Sequence, residues 1–404
     1  MRTLTWHEVE DILIGATILG CGGGGGLAYG MDQMRPIYDS GRAVMLATPE
    51  ETSADAMVAC PYAVGAMTTA EVDPYGDRPL AAEHPSVLAV RALGDHVGQD
   101  FAALICGELG GSSVADAFYP AAVLGVPIID ADPVGRAVPE IQHSMFSIHG
   151  VPISPLSVVN EIGDTAIFTY VADDERAEAL IRAMAVASRN AVWVADHALP
   201  WSDLRDIAVL GTISLAERVG RAQREAVEAA RDVADAVAAA ADGAVVFHGT
   251  VTSSDWRDAE GFTVGETTIE GADAWASSTF RVWFKNENLI AWRDGIPDVT
   301  CPDLICILDS DGMPVTNPEA TAGSRVFVVA FPSATQWRTP RGIESLGPSH
   351  FGFDVDFVPV ELRHARRARW ALEGVGTNDS GTDPTINVEK LAQDAAAASG
   401  CSGL

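Results

Sequence analysis

Phe101-Ala102-Ala103-Leu104-Ile105-Cys106-Gly107-Glu108-Leu109-Gly110-Gly111-Ser112-Ser113 is the stretch that decides the fold. A short apolar run, Phe101 to Cys106, breaks into a glycine turn, and helical character follows from Ser113 to Leu124, so the segment reads strand, turn, helix. The same grammar recurs outward from it. Arg42 to Ala47, Ala56 to Cys60 and Val126 to Asp130 read as further short buried strands, and Ser86 to His96 as a helix between two of them. This alternation predicts an α/β N-terminal domain with a mixed sheet and flanking helices. Past Asp242-Gly243 the character turns to β, with strands expected at Ala244 to Val251, Gly261 to Ile269, Thr279 to Trp292, Leu304 to Leu308, Arg325 to Phe331 and Phe351 to Val360. The expected organisation is therefore an α/β domain over 1–170, a helical bracing or connecting segment over 171–242, a mostly β C-terminal domain over 243–363, and a C-terminal helix with an Ala-rich tail over 364–404. Long helices are expected within Asp173 to Asn190 and Leu215 to Ala241. No repeat with a period of 20 to 50 residues is evident, which argues against a solenoid.

The chain opens with a capping box, Thr5-Trp6-His7-Glu8, and Val9, Ile12, Leu13, Ala16 and Leu19 then recur at helical spacing, so a first helix should stop at Gly20. Directly after it stands Gly20-Cys21-Gly22-Gly23-Gly24-Gly25-Gly26. Gly20-x-Gly22-x-x-Gly25 has the spacing of a dinucleotide fingerprint, yet that fingerprint follows a strand and opens a helix, whereas this one follows a helix. With no Gly-Lys-Ser/Thr ending, a P-loop is excluded. What remains is a loop whose bare backbone can approach a ligand closely and whose N–H groups, at Gly22, Gly23 and Gly24, suit a carboxylate or a developing oxyanion.

Composition narrows the partners. The 404 residues carry a formal net charge of -30, and Lys occurs only at Lys285 and Lys390. Nucleic acid and anionic membrane would both be repelled by such a surface, and a small-molecule partner is expected instead. Six cysteines show no CxxC pair, so reduced thiols are expected rather than a structural zinc site. With no basic-then-apolar leader and no apolar run of about 18 residues, the expectation is a cytoplasmic protein, and a homo-oligomer.

Three segments carry candidate chemistry. Cys21, a thiol among glycines, is a candidate nucleophile or metal ligand. Glu108 lies between glycines at the carboxyl end of its strand, where open α/β sheets gather ligands, and is a candidate general base. Gly110, Gly111 and Ser112 beside it are candidate substrate contacts, although a serine there also suits helix capping. In Asp130-Ala131-Asp132-Pro133-Val134-Gly135-Arg136 the two carboxylates at i and i+2 point to one side if the strand continues. They would then form an acid/base pair or hold a divalent metal such as zinc; alternatively they build a turn and pair with Arg136. Arg136 suits a substrate carboxylate, and Glu140, Gln142 and His143 would line the same region. The nine histidines show no HxH or HExxH spacing. Asn286-Glu287-Asn288, three polar residues inside an apolar β segment, read as a buried network holding the domains together.

These segments, in this order, resemble the S-methyl thiohydantoin desulfurase-like family, long catalogued as a domain of unknown function and associated with hydantoinase and oxoprolinase-type proteins. The resemblance runs from about Thr3 to Val360 and is carried by Gly20 to Gly26, Glu108 to Gly111, Val126 to Asp132 with Gly135 to Glu140, and Asn286 to Leu289. The chain departs from the family pattern where relatives often carry Thr, Asn and Gly-Met and it has Cys21, Ser112 and Pro133-Val134. The resemblance implies a two-domain enzyme that removes the sulfur substituent of a five-membered thiohydantoin-type ring as methanethiol. The other expectations in view are a ring-opening amidohydrolase of hydantoins or oxoprolines and a non-catalytic, ligand-binding partner of a hydantoinase.

Overall fold

The structure, a computed structural model, describes residues 1–65, 73–189, 191–259 and 261–363. The expected C-terminal helix and Ala-rich tail lie outside the described residues. The N-terminal region runs β1 (Arg2–Thr3), α1 (Trp6–Leu19), α2 (Leu27–Asp39), β2 (Met45–Ala47), β3 (Met57–Gly65), α3 (Pro85–Val97), β4 (Ala103–Leu104), α4 (Gly111–Leu124), β5 (Ile128–Ile129), β6 (Ala131–Asp132), α5 (Met145–Ile148), β7 (Leu156–Val159) and β8 (Thr165–Phe168). Thr5 and Glu8 close the expected capping box, with Thr5 N donating to Glu8 Oε2 at 2.7 Å, and α1 is capped by Gly20. After it follow α6 (Asp174–Ala187), β9 (Ala191–Pro200), α7 (Trp201–Leu204), β10 (Val209–Leu210), α8 (Thr212–Glu228) and α9 (Val233–Ala240).

Eight strands make one mixed sheet in the order β1-β2-β5-β4-β3-β9-β7-β8. Pairing is parallel from β2 through β5 and β4 to β3, and antiparallel elsewhere. The parallel strands bury both faces between helices, which is why they read as continuous apolar runs rather than alternating ones. The segment 171–242, expected to be helical, contributes β9 to the middle of this sheet, ten residues long and paired with both β3 and β7. The helix expected over Leu215 to Ala241 is two, α8 and α9, divided where Ala230 takes a left-handed φ of 49°.

The C-terminal region is an antiparallel seven-stranded sheet of β11 (Ala244–Ala259), β12 (Phe262–Gly271), β13 (Thr279–Lys285), β14 (Glu287–Arg293), β15 (Ile296–Thr300), β16 (Leu304–Asp309) and β17 (Arg325–Phe331), ordered β15-β14-β13-β12-β11-β17-β16. Thr279 to Trp292, read as one strand, is a hairpin folded at Asn286, whose φ is 58°. Phe351 to Val360 is not a strand. A 3-10 turn, Pro348–Phe351, enters it after α10 (Pro340–Leu346), and Val360 N donates instead to the buried Asp303 carboxylate at 2.7 Å. In this way Phe351 and Phe353 reach Trp283 as ring contacts, without a ladder.

Helix α8 braces the molecule by crossing α1 with glycine on both sides. A Cβ on Gly15 would stand 1.8 Å from Ala216 O, and one on Gly220 1.8 Å from Asp11 O. The backbones touch, and Asp11, buried in the crossing, takes a bidentate bond from Arg224 at 2.8 and 2.9 Å. Gly220→Ala should therefore force the helices apart, and urea unfolding should show a loss on the order of 3 kcal/mol. Unchanged stability would mean that the crossing has slack.

Candidate active site

A cavity of about 740 Å³ opens beside the glycine loop. Its walls come from Gly22 to Gly26, the end of β3, the turn after β4, the segment 133–146, β9, and the Asn286-Glu287 turn of the β13–β14 hairpin. Three carbonyls hold the loop open. Cys21 O accepts from Asn288 N at 2.7 Å, Gly22 O from Asn317 N at 2.8 Å, and Gly24 O from Ser112 N and Ser113 N at 3.2 and 3.1 Å. Among the described residues the N–H groups of Gly22, Gly24 and Gly25 meet no acceptor, so they stay available to a ligand in the cavity that these residues line. Gly24 has a φ of 68° and presses on Gly110, whose own Cβ would lie 2.2 Å from Gly24 O.

Two carboxyl groups face this loop. Glu108 lies in the turn between β4 and α4, where Oε1 accepts from Ser113 Oγ at 2.8 Å and Oε2 from Val138 N at 2.9 Å. Burial pushes its pKa up to about 7 against those two hydrogen bonds. Glu287 starts β14 and lies so close to the loop that a Cβ on Gly23 would meet its Oε1 at 1.8 Å. Burial, then the charge of Glu108, drives Glu287 well above the ordinary carboxyl range, and its Oε2 has no partner among the described residues. Both carboxyl groups are raised, Glu287 by burial and then by the charge of Glu108, so the pair favours holding a proton, an arrangement suited to separating an acid from a base.

A third device comes from β9. Asp196 accepts from Tyr62 Oη at 2.7 Å and pairs with His197 Nδ1 at 2.7 Å. His197 has a φ of 46° where the β3–β9 register slips, and its buried Nε2 has no partner among the described residues. Burial opposes protonation of His197, but the Asp196 carboxylate outweighs it and holds the imidazole above its usual pKa. Cys60, Tyr62, Asp196 and His197 all line the cavity.

Of the residues expected from sequence, Gly22, Gly23, Gly24, Glu108, Ser112 and Glu140 line this cavity. The others are placed elsewhere. Cys21 is fully buried behind the loop, where Sγ donates to Leu19 O at 3.2 Å and stands 4.0 Å from Cys306 Sγ, so it does not present a nucleophile. Asp130 accepts from Ser214 N and Oγ at 2.9 and 2.5 Å, closing the first turn of α8. Asp132 accepts from Val134 N and Gly135 N, both at 2.6 Å, and so builds a turn. Neither carboxylate lines the cavity, and Asp132 Oδ2 has no partner among the described residues. Arg136 is buried and donates to the carbonyls of Ala137, Pro302, Asp303 and Asn288, which spends four of the five guanidinium N–H groups and leaves no fork for a substrate carboxylate. Its charge still lowers the titration of Cys21, Glu108 and Glu287. Gly110 and Gly111 serve packing, the latter against Thr17 and Leu27. His143 is buried against His350, away from the cavity. Of Asn286 to Asn288, it is Asn288 that ties the two regions, its N donating to Cys21 O at 2.7 Å and its O accepting from Arg136 Nη2 at 3.0 Å, while Asn317 Nδ2 reaches Asn286 O and Asn288 Oδ1 at 2.8 and 2.9 Å within the C-terminal region.

Fold and site together define an α/β protein with a second, antiparallel sheet and a ligand-sized cavity lined by the half-buried Glu108 and the buried Glu287. Two family models match it, "S-Me-THD-like, N-terminal domain" over residues 7–170 and "S-Me-THD-like, C-terminal domain" over residues 172–360. The chain belongs to the S-Me-THD-like family, as its motifs lead one to expect. Strand β9, from the second of these regions, completes the sheet of the first. A crystal structure of a protein from Chromobacterium violaceum is similar at 22% identity and a TM-score of 0.71, over 89% of this chain and 100% of that one, a likeness of fold. No curated protein matches it. Among the described residues no helix is long and apolar enough to cross a membrane.

Proposed function

We propose that this protein hydrolyses the exocyclic carbon–sulfur bond of an S-methyl thiohydantoin-type ring, giving methanethiol and a hydantoin. The observation that carries the reading is the carboxyl pair, Glu108 near pKa 7 and Glu287 raised well above the ordinary carboxyl range, beside glycine N–H groups that meet no acceptor among the described residues, in a cavity of about 740 Å³. Family membership supports the substrate class. The ring carbon bearing sulfur is amidine-like, and it becomes electrophilic when the adjoining ring nitrogen gains a proton from Glu287. Glu108 takes a proton from water as its oxygen adds to that carbon. The carbon–sulfur bond then breaks, the departing thiolate takes the proton held by Glu108, and the new hydroxyl returns one to Glu287 as it becomes the carbonyl. Both carboxyl groups end as they began, and one water is consumed. Loop N–H groups stabilise the charge that develops on the water-derived oxygen as it becomes the carbonyl.

Purified full-length protein incubated with an S-methyl-2-thiohydantoin should release one thiol, read with a chromogenic disulfide, for each hydantoin detected by mass spectrometry. Ring opening without thiol would overturn this in favour of an amidohydrolase. Tight binding without turnover would overturn it in favour of a ligand-binding subunit.

A further inference from the structure

We propose that Glu140, His143 and His350 form a binding site for a divalent transition-metal ion of the zinc class, a site separate from the two carboxylates at 130 and 132. His143 Nε2 and His350 Nε2 lie 3.1 Å apart with the two rings 85° to one another. A tetrahedral ion with bonds of about 2.0–2.1 Å separates two ligand nitrogens by roughly 3.3–3.4 Å, so the pair needs to open by only a few tenths of an ångström. Glu140 Oε2 stands 3.9 Å from His143 Nε2, and one ligand atom from each of the three residues falls within 4.8 Å of the others. Two imidazoles and one carboxylate are the ligand set that leaves a fourth position open for water.

The local sequence explains how the three meet. Glu140 and His143 lie at i and i+3 in the segment before α5, with His143 N donating to Glu140 O at 3.0 Å. His350 arrives from the 3-10 turn Pro348–Phe351 and is exposed, which gives an ion a path from solvent. His143 is fully buried, with Phe351 packed on its edge, so one ligand is rigid and another accessible. Glu140 lines the carboxyl cavity and also a neighbouring cleft of about 850 Å³ that His350 lines. An ion here would therefore stand in the wall between the two.

One group opposes it. Lys285 Nζ is 2.8 Å from Glu140 Oε2 and lies over the Phe262 ring, holding the carboxylate that the ion would use. The competition gives the site a signature that a chance cluster lacks, because the histidine and lysine variants should move affinity in opposite directions.

The test uses full-length protein stripped with a chelator and titrated with Co²⁺, read by the visible d–d bands of four-coordinate cobalt, and with Zn²⁺ by calorimetry. One ion should bind per chain. His350→Ala, at an exposed position, should weaken binding at least about 100-fold. Lys285→Met, which removes the competing charge, should tighten it about tenfold. Absence of both the bands and the heat in the unaltered protein would overturn the proposal, as would unchanged affinity in His350→Ala or weaker binding in Lys285→Met.

Discussion

Glu108→Gln is expected to lower kcat for thiol release by about 10³-fold while leaving the protein at least as stable as its parent. The change keeps the shape of the side chain and removes only its ability to take a proton. Ser113, whose hydroxyl donates to Oε1, can rotate to accept from an amide, and the other oxygen can keep its bond from Val138 N. The stability arm follows from linkage. The folded carboxyl holds its proton up to about pH 7, whereas its ordinary value is 4.5, so the folded state binds more protons between those limits and loses stability as pH rises through them. A neutral Gln avoids that loss. The variant should gain nothing near pH 4 and up to roughly 3 kcal/mol above pH 7, less what the charged hydrogen bonds contributed. Turnover measured beside urea unfolding at pH 5 and 8 separates the cases. Loss of activity together with loss of stability at pH 8 would mean that Glu108 is structural, and activity above a tenth of the parent's would remove it from the reaction.

How much of this was legible beforehand depended on whether the signal was local. The capping box and the stop at Gly20 involve neighbours in sequence, and both are found as read. Strand 101–106 and the helix from 113 were legible because apolar runs and glycine turns are local too; Glu108 followed, since the end of such a strand is where ligands gather. Asp130 and Asp132 show the limit. As a pair they fitted a metal or an acid/base couple, and only the fold shows that Ser214, far along the chain, and the Val134-Gly135 turn claim them. Arg136 likewise shows in sequence only what a guanidinium can do, while its carbonyl partners at Pro302 and Asn288 lie far along the chain. Cys21 stood out through its glycine neighbours, but whether a loop residue faces a cavity or turns its back on it depends on φ, here 55°, which no pattern states. Glu287 reads as a polar residue inside one strand because the turn at Asn286 carries no Gly or Pro signal, and its meeting with Gly23 is tertiary. His197 carries no local signal for a similar reason: a bulge aims it, and the bulge exists only once β3 and β9 pair.

Glu287→Gln should separate the two carboxyl roles that Glu108→Gln alone cannot. In the parent, kcat/KM should rise with pH through about 7, because the base must be ionised and Glu108 reaches that form only there. Glu287 is raised well above the ordinary carboxyl range, first by burial and then by the negative charge that Glu108 acquires, which suits it to the donor's role. Replacing it with Gln removes a donor of labile protons and leaves a base next to a neutral group, as before. The rate plateau should fall by about 10²-fold while the acid limb stays near pH 7. If Glu287 were instead the base, its loss would abolish the limb, and if the two shared one proton symmetrically the limb would move to lower pH once the partner was gone. A substrate whose ring nitrogen is already cationic should bypass the donor and recover most of the lost rate in Glu287→Gln, but none in Glu108→Gln. That recovery is the outcome a merely structural Glu287 could not produce, because a distorted cavity would turn over the cationic ring no better than the neutral one.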